Sequence, residues 1–193
     1  FRFGGHGIAF GASTSVGAGV KYVGDNGFAS SITVNSKGGA GTTGILTEDD
    51  VSKINTQLAY TADNYHVSAT YTTQNLGYTG GYPYFSTDGA KQSNVDTDGW
   101  ALRAWWRPDE QGTAVPTVSV GYDTVSYNTT AANKFSSGEG YSIALNWTDM
   151  FQADDTIGVA LGQPIKGTDN NTAGKVDTDP FLWEIYYSFK PND

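Results

Sequence analysis

Few residues in this sequence have the types and spacing that catalysis requires. The only histidines are His6 and His66, and cysteine is absent, which excludes disulfides, thiolate metal sites and thiol chemistry. A Ser-His-Asp site would need a serine nucleophile beside a histidine, but the nucleophile-elbow motif G-x-S-x-G does not occur. Paired carboxylates for glycoside hydrolysis stay open in principle, although nothing singles out two of the 20 acidic residues. We therefore predict that the chain is not an enzyme.

Two short motifs suggest ligand binding, and both have a simpler interpretation. The segment 39–44 matches the dinucleotide spacing G-x-G-x-x-G, but that motif needs a preceding strand and a following helix, and this stretch is typical of a loop. Asp96 and Asp98 resemble the start of a calcium loop, although Trp105 stands where a bidentate glutamate is required. We predict no cofactor beyond a weak calcium site on acidic loops such as Asp96 and Asp98, with a solvated loop as the alternative.

The composition favours a single all-β domain. With 193 residues, 16% charged residues, 13% aromatic residues and 25 glycines, the chain suits many short strands joined by turns. A net charge of −9 excludes a nucleic-acid partner, which needs a basic surface. No apolar run is long enough for a transmembrane helix, but a barrel strand crosses a membrane with only about 10 alternating residues.

Turn residues divide the sequence into about ten candidate strands. They are 5–12, 15–23, 28–35, 53–62, 65–74, 99–107, 115–124, 140–147, 156–163 and 180–190. The longer connections are rich in Gly, Ser, Thr, Asn and Asp, and they cover 36–52, 75–98, 125–139 and 164–179. From residue 28 onward short and long connections alternate, as they do in outer-membrane barrels.

Alternation along these strands predicts two different faces. One face is apolar without charge or glycine, and includes Val16, Ala18, Val20, Tyr22, Ile54, Leu58, Tyr60, Tyr65, Val67, Tyr71, Trp100, Leu102, Trp106, Tyr141, Ile143, Leu145, Trp147, Trp183, Ile185 and Tyr187. The other face is built from Gly, Ser and Thr with a few larger polar residues. Tyr and Trp lie at strand ends, where an aromatic girdle meets lipid headgroups. We therefore predict an antiparallel transmembrane β-barrel, with a secreted β-sandwich as the alternative because sandwich strands also alternate.

Charged residues on the polar face are the candidates for a pore lining. They are Lys21, His66, Arg103, Arg107, Asp123 and Glu184. Basic residues that line a pore lower the barrier for anions. For Arg103 the alternative is an ion pair with a neighbouring acid that only stabilises the wall.

Five segments resemble the cyanobacterial outer-membrane porins, the carbohydrate-porin-like or iron-uptake family. They are Gly99–Pro108, Val115–Tyr122, Tyr141–Asp149, Ile157–Pro164 and Asp179–Tyr187. The resemblance covers about residues 99–190 and consists mostly of barrel-wall patterns. It implies a barrel of about sixteen strands, a homotrimer in the outer membrane of a cyanobacterium, and passive uptake of small hydrophilic solutes or inorganic ions.

The family pattern also includes an N-terminal S-layer-homology domain and closing C-terminal strands, which this sequence lacks. The chain starts at Phe1 without an initiator Met or signal peptide, and 190–193 resembles a tight turn. We expect 1–193 to be one partial barrel domain from the C-terminal half of a longer protein. Three function classes follow: a porin, a secreted carbohydrate-binding β-sandwich, and an outer-membrane barrel enzyme that would need His66 beside Ser or Asp.

Overall fold

A computed structural model of the chain describes residues 16–37, 44–75, 95–132, 134–171 and 179–190. These residues form nine β-strands: β1 Val16–Val23, β2 Phe28–Ser36, β3 Ser52–Thr61, β4 Tyr65–Asn75, β5 Thr97–Trp106, β6 Thr117–Tyr127, β7 Phe135–Thr148, β8 Thr156–Asn170 and β9 Leu182–Ser188. The described residues contain no helix, and hence none that could span a membrane.

The nine strands form one antiparallel sheet in sequence order, so each strand pairs with the strand before it. Antiparallel neighbours can be joined by short connections, which explains why the chain runs up and down without crossovers. In the described ranges β1 and β9 lie at opposite edges and do not pair with each other, so the sheet is open. Because the number of strands is odd, β1 and β9 run in the same direction.

The prediction of an all-β antiparallel fold is confirmed, and nine of the candidate strands coincide with strands of the sheet. The remaining candidate, 5–12, lies outside the described residues.

The predicted loops 125–139 and 164–179 were too long. Strand β6 continues to Tyr127, β7 starts at Phe135, and β8 continues to Asn170. Pro164 was read as the end of a strand, but it lies where the β7–β8 register is irregular, between Tyr141 opposite Gln163 and Glu139 opposite Lys166. A bulge accommodates proline because the missing N–H is not needed there.

The two ends of the sheet differ in their connections. The turn end carries 24–27, 62–64, 107–116 and 149–155, and the loop end carries 37–51, 76–96, 128–134 and 171–181. The alternation of short and long connections predicted from residue 28 onward is therefore correct between β2 and β5. It fails between β5 and β8, where 128–134 at the loop end is shorter than 107–116 at the turn end.

Candidate functional site

The register gives every strand one side chain on each face in turn, which divides the sheet into two surfaces. Ala69 pairs with Leu102, Leu102 with Tyr122, and Tyr122 with Tyr141, so the apolar residues of neighbouring strands lie side by side. We call this surface the apolar face. Its large residues are strongly exposed: Val20 is 71% exposed, Leu58 63% and Ile185 63%. Nothing among the described residues covers this surface.

Aromatic residues border the apolar face in two rows. The turn-side row contains Tyr22, Phe28, Tyr60, Tyr65, Trp106, Trp147 and Tyr187, and the loop-side row contains Tyr71, Trp100, Tyr122, Tyr141 and Trp183. Neighbours within a row touch: the ring centroids of Phe28 and Tyr60 are 5.0 Å apart, and those of Tyr71 and Trp100 are 4.9 Å apart. On β4 the two rows are separated from Tyr65 to Tyr71, which is about 20 Å along the strand.

Both rows cross the strands obliquely and in the same direction. On the loop side, Trp100 is level with Tyr71, Tyr141 lies two residues closer to the turns, and Trp183 lies four residues closer. Four residues are about 13 Å along a strand, and the five steps from β4 to β9 are about 24 Å across the sheet, so the rows are inclined by about 30° to the hydrogen-bonded rungs. The strands are therefore inclined by about 30° to the perpendicular of the rows. The turn-side row shifts in the same direction, by two residues at β2, two at β4 and two at β7. The rows are therefore parallel to each other and not to the hydrogen-bonded rungs.

Acidic residues appear on the apolar face only at its loop end. The sequence predicted none on this face, and the prediction was wrong because β5 and β7 begin earlier than expected and add Asp98 and Glu139. The Tyr71 hydroxyl donates to Asp98 Oδ1 at 2.7 Å, and the Tyr122 hydroxyl donates to Glu139 Oε2 at 3.2 Å. Each carboxylate lies on the neighbouring strand, two residues further toward the loop end than the residue opposite its tyrosine. The apolar band between the aromatic rows stays free of charge in the described strands.

The opposite surface, which we call the small-residue face, has Arg103 at its centre. Arg103 Nη2 donates to both carboxylate oxygens of Asp123 at 2.8 and 2.6 Å, and Nη1 donates to the carbonyl oxygens of Leu102 and Tyr122. The side chains of Arg103 and Asp123 are only 15% and 11% exposed. Gly121 is the cross-strand partner of Arg103, and a Cβ there would lie 3.2 Å from Arg103 Cδ and Nε. The guanidinium therefore lies flat over a glycine, and its charge is paired within the sheet.

Two other large side chains on this face also lie over glycines. Tyr186 covers Gly158, where a Cβ would come within 2.0 Å of the ring, and the Tyr186 hydroxyl donates to Asn146 Oδ1 at 2.7 Å. Phe135 covers Gly167 in the same manner and belongs to a buried cluster at the loop end with Val125, Tyr127 and Ile165. Because large side chains lie along the sheet and not away from it, the small-residue face is low in relief.

Neutral polar side chains link β2, β3 and β4 across the same face. Asn55 Nδ2 donates to Thr33 Oγ1 at 3.0 Å, the Thr72 hydroxyl donates to Asn55 Oδ1 at 2.8 Å, and Gln57 Nε2 donates to Thr70 Oγ1 at 3.1 Å. Buried polar groups need such partners. The ladder satisfies them without adding charge, so this part of the surface is polar and uncharged.

Apart from Asp123, the other predicted lining residues lie away from Arg103. Lys21 on β1 and Glu184 on β9 are both exposed on the small-residue face, at opposite edges of the sheet. His66 Nδ1 is 2.8 Å from the Thr61 hydroxyl, and its ring stacks on Trp105 at 6.0 Å. Arg107 lies beyond the end of β5, donates from Nε and Nη2 to the Asp63 carbonyl oxygen, and places Cζ 5.7 Å from the Trp105 ring centre. The six residues thus form no single cluster.

The calcium candidates Asp96 and Asp98 and two further acidic residues, Asp154 and Asp179, have protein partners. Asp98 accepts the Tyr71 hydroxyl, Asp154 pairs with Lys190 at 2.8 Å, and Asp179 pairs with Lys166. The Asp96 carbonyl oxygen accepts the Asn128 backbone N–H. Among the described residues no group of three or more His, Asp or Glu side chains has a geometry that could hold a metal ion.

Sequence reasoning missed Asp155, which organises the β7–β8 turn and is fully buried. Its carboxylate accepts the backbone N–H groups of Met150, Phe151 and Gln152 at 2.8 to 3.2 Å and the Tyr187 hydroxyl at 3.2 Å. Burial by itself raises the pKa of Asp155, but these hydrogen bonds outweigh it and hold the pKa below the usual value. The sequence signal was an acidic pair directly before a strand, which also fits a solvated turn.

Asp50 has a similar position before β3 and was also missed. It is fully buried, and its Oδ2 accepts the Ser36 hydroxyl at 2.6 Å and the Leu46 N–H at 2.8 Å.

Comparisons of the chain with protein-family models, with curated proteins and with solved structures found no match.

Proposed function

We propose that this chain forms part of the wall of an outer-membrane β-barrel that works as a passive diffusion channel for small hydrophilic solutes or ions. One observation carries the proposal: a charge-free apolar band is exposed between two parallel aromatic rows, on a sheet whose other face is small and polar. Lipid suits the first surface and water the second. In this proposal the solutes pass along the small-residue face, and the chain performs no reaction.

The exposure of the apolar face supports a lipid partner. Soluble monomers rarely expose apolar patches of more than a few hundred Å², whereas this face presents large residues from β1 to β9. The aromatic rows add to the argument because Tyr and Trp favour the interface between hydrocarbon and headgroups. Tyr71 and Tyr122 point their hydroxyls to carboxylates outside the band, as amphipathic side chains do at such an interface.

The obliqueness of the rows supports a barrel. A girdle follows the membrane plane, and strands in outer-membrane barrels are tilted by about 35–45° from the membrane normal. If the rows follow the membrane plane, the strands are tilted by about 30° from the membrane normal, which is close to that range. Closure of an all-antiparallel barrel needs an even number of strands, so nine strands require an odd number of additional ones. The barrel of about sixteen strands that the family resemblance implies meets this condition.

The rival is a secreted β-sandwich that binds carbohydrate. A sandwich buries its apolar face under a second sheet about 10 Å away, whereas the described strands all belong to one sheet. The third class, a barrel enzyme, needs His66 beside Ser or Asp, but its Nδ1 contacts the Thr61 hydroxyl and its ring stacks on Trp105. Both observations favour the channel.

Single-channel recording tests the proposal. The complete native protein would be extracted in detergent and reconstituted in a planar bilayer. We expect stepwise increases in conductance that scale with the salt concentration, because a water-filled pore conducts in proportion to its ions. Folded protein that inserts into the bilayer without conducting would exclude a channel. Protein that stays monodisperse in detergent-free buffer would instead support the sandwich.

The same preparation tests the remaining expectations. Outer-membrane localisation and a homotrimer are predicted from the family resemblance, and they are measured by membrane fractionation and by the mass of the protein in detergent. The weak calcium site predicted at Asp96 and Asp98 would appear as a shift in thermal unfolding with millimolar calcium.

A further inference from the structure

We infer that Gly121 is a specificity-determining residue of the channel, because it keeps the charge of Arg103 against Asp123 and out of the lumen. The inference rests on the proposed channel function. It concerns the sign of the ions that the wall favours, which the sequence left open.

A side chain at Gly121 would crowd Arg103 in its flat position and the Ser142 hydroxyl beside it. A Cβ would lie 3.2 Å from Arg103 Cδ, 3.2 Å from Arg103 Nε and 2.9 Å from Ser142 Oγ. Contacts at these distances require the neighbours to move. The backbone of β6 is held on both sides by β5 and β7, so the side chains of Arg103 and Ser142 are the parts that can move, and a residue larger than alanine needs Arg103 to move.

The hydrogen bonds of Arg103 do not lock it completely. Its two Nη atoms reach Asp123 and the carbonyl oxygens of Leu102 and Tyr122, but Nε is buried and has no hydrogen-bond partner in the described residues. The flat position therefore depends on the open space over Gly121 as well as on hydrogen bonding. Loss of that space moves the guanidinium away from the sheet, which is the direction of the proposed lumen.

The position of the guanidinium decides how solutes meet its charge. Paired with Asp123, Arg103 leaves a neutral wall at this point, since opposite charges a hydrogen bond apart cancel at longer range. Moved toward the lumen, the cation lies closer to passing ions than the carboxylate left at the wall, and screening acts over about 8–10 Å at physiological salt. Gly121 thus makes the wall indifferent to the sign of a solute, and a larger residue would favour anions.

The test measures reversal potentials of reconstituted channels in a salt gradient. We expect Gly121→Val to raise the anion-to-cation permeability ratio by about twofold and to lower the conductance, with Gly121→Ala in the same direction but smaller. Asp123→Asn leaves the cation of Arg103 unpaired and should raise the permeability ratio, whereas Arg103→Gln leaves the carboxylate of Asp123 unpaired and should lower it. In the Arg103→Gln background, Gly121→Val should change the ratio little, because the charge that it displaces is gone.

A matched control is Gly19→Val on β1. Gly19 is also on the small-residue face, and a Cβ there meets Thr33 and the Ile32 carbonyl oxygen, with no charged group among its nearest neighbours. The inference is overturned if Gly19→Val shifts the ratio as much as Gly121→Val, or if Gly121→Val acts equally with and without Arg103. If Gly121→Val does not fold, the same comparisons are made with Gly121→Ala. Absence of conductance in the native protein would instead overturn the proposed function itself.

Discussion

The two faces of the sheet share one backbone but differ in where they place charged side chains. The apolar face carries large residues that remain exposed, such as Trp183 at 69%, and it carries no charge between its aromatic rows. The small-residue face carries charges, but at its centre they are paired across neighbouring strands, as Arg103 and Asp123 are. One face has no charge in its band, and the other contains charges that are paired at its centre.

The difference shows what each surface is suited to contact. Lipid does not solvate a charged side chain, so a lipid-facing surface is most stable when it carries none. A water-facing surface tolerates charged side chains, and ion pairing between them controls how strongly their charge acts on solutes. Glycine serves the second surface in particular, because Gly121, Gly158 and Gly167 let large neighbours lie flat.

Arginine at adjacent positions on one strand gives the largest expected contrast between the faces. Val120 is 45% exposed on the apolar face, and Ser119 is on the small-residue face. We expect Val120→Arg to destabilise the protein in lipid vesicles by about 2–4 kcal/mol, the cost of a cation near the bilayer midplane. Ser119→Arg should cost less than about 1 kcal/mol. Denaturant titrations in vesicles measure both, and equal costs would contradict the assignment of the faces.

Removal of one partner from the central ion pair should give the next largest effect. Arg103→Gln leaves the Asp123 carboxylate largely buried without its cation, and we expect the free energy of unfolding to fall by about 1–3 kcal/mol. The double variant Arg103→Gln with Asp123→Asn should recover part of that loss, because no buried charge remains. If the loss of unfolding free energy in the double variant equals the sum of the losses in the two single variants, the two side chains act independently.

The buried carboxylate of the β7–β8 turn predicts a dependence on pH. Because the pKa of Asp155 is lower in the folded protein than its usual value, its contribution to stability is complete above pH values of about 4 and is lost as the pH falls through the folded pKa. Asp155→Asn should lower stability at neutral pH and flatten its pH dependence in acid. Asp154→Asn, at an exposed ion pair with Lys190, is the control and should have a smaller effect. Equal pH profiles for native protein and Asp155→Asn would refute this role.

The smallest effect concerns the loop-side border of the apolar face. Tyr71→Phe removes the hydroxyl that donates to Asp98 and keeps the ring that packs on Trp100. We expect a loss of about 0.5–1 kcal/mol, the net contribution of one hydrogen bond. Tyr71→Ala should cost more because it removes the ring as well, and thermal unfolding in detergent compares the two. If both cost the same, the ring contributes nothing to the border.

The sequence predicted the strands well where alternation was regular and poorly where it was not. Residues 65–74 alternate without interruption, and β4 is Tyr65–Asn75. Strand β8 was predicted to stop at 163, because Pro164 and the glycines after it resemble a loop. A bulge opposite Glu139 and Tyr141 removes the need for the proline N–H, and a bulge depends on the partner strand, which a single segment does not reveal.

Local alternation therefore determined the strands, the separation into two faces and the polarity of each, because successive side chains point to opposite sides of any extended chain. Only the tertiary structure decided which residues meet across strands. Arg103 and Asp123 are 20 residues apart in the chain, and their contact depends on the β5–β6 register and on the space over Gly121. The oblique course of the aromatic rows and the hydrogen-bond donors around Asp155 likewise appear only when strands are aligned, since register and burial are properties of several segments together.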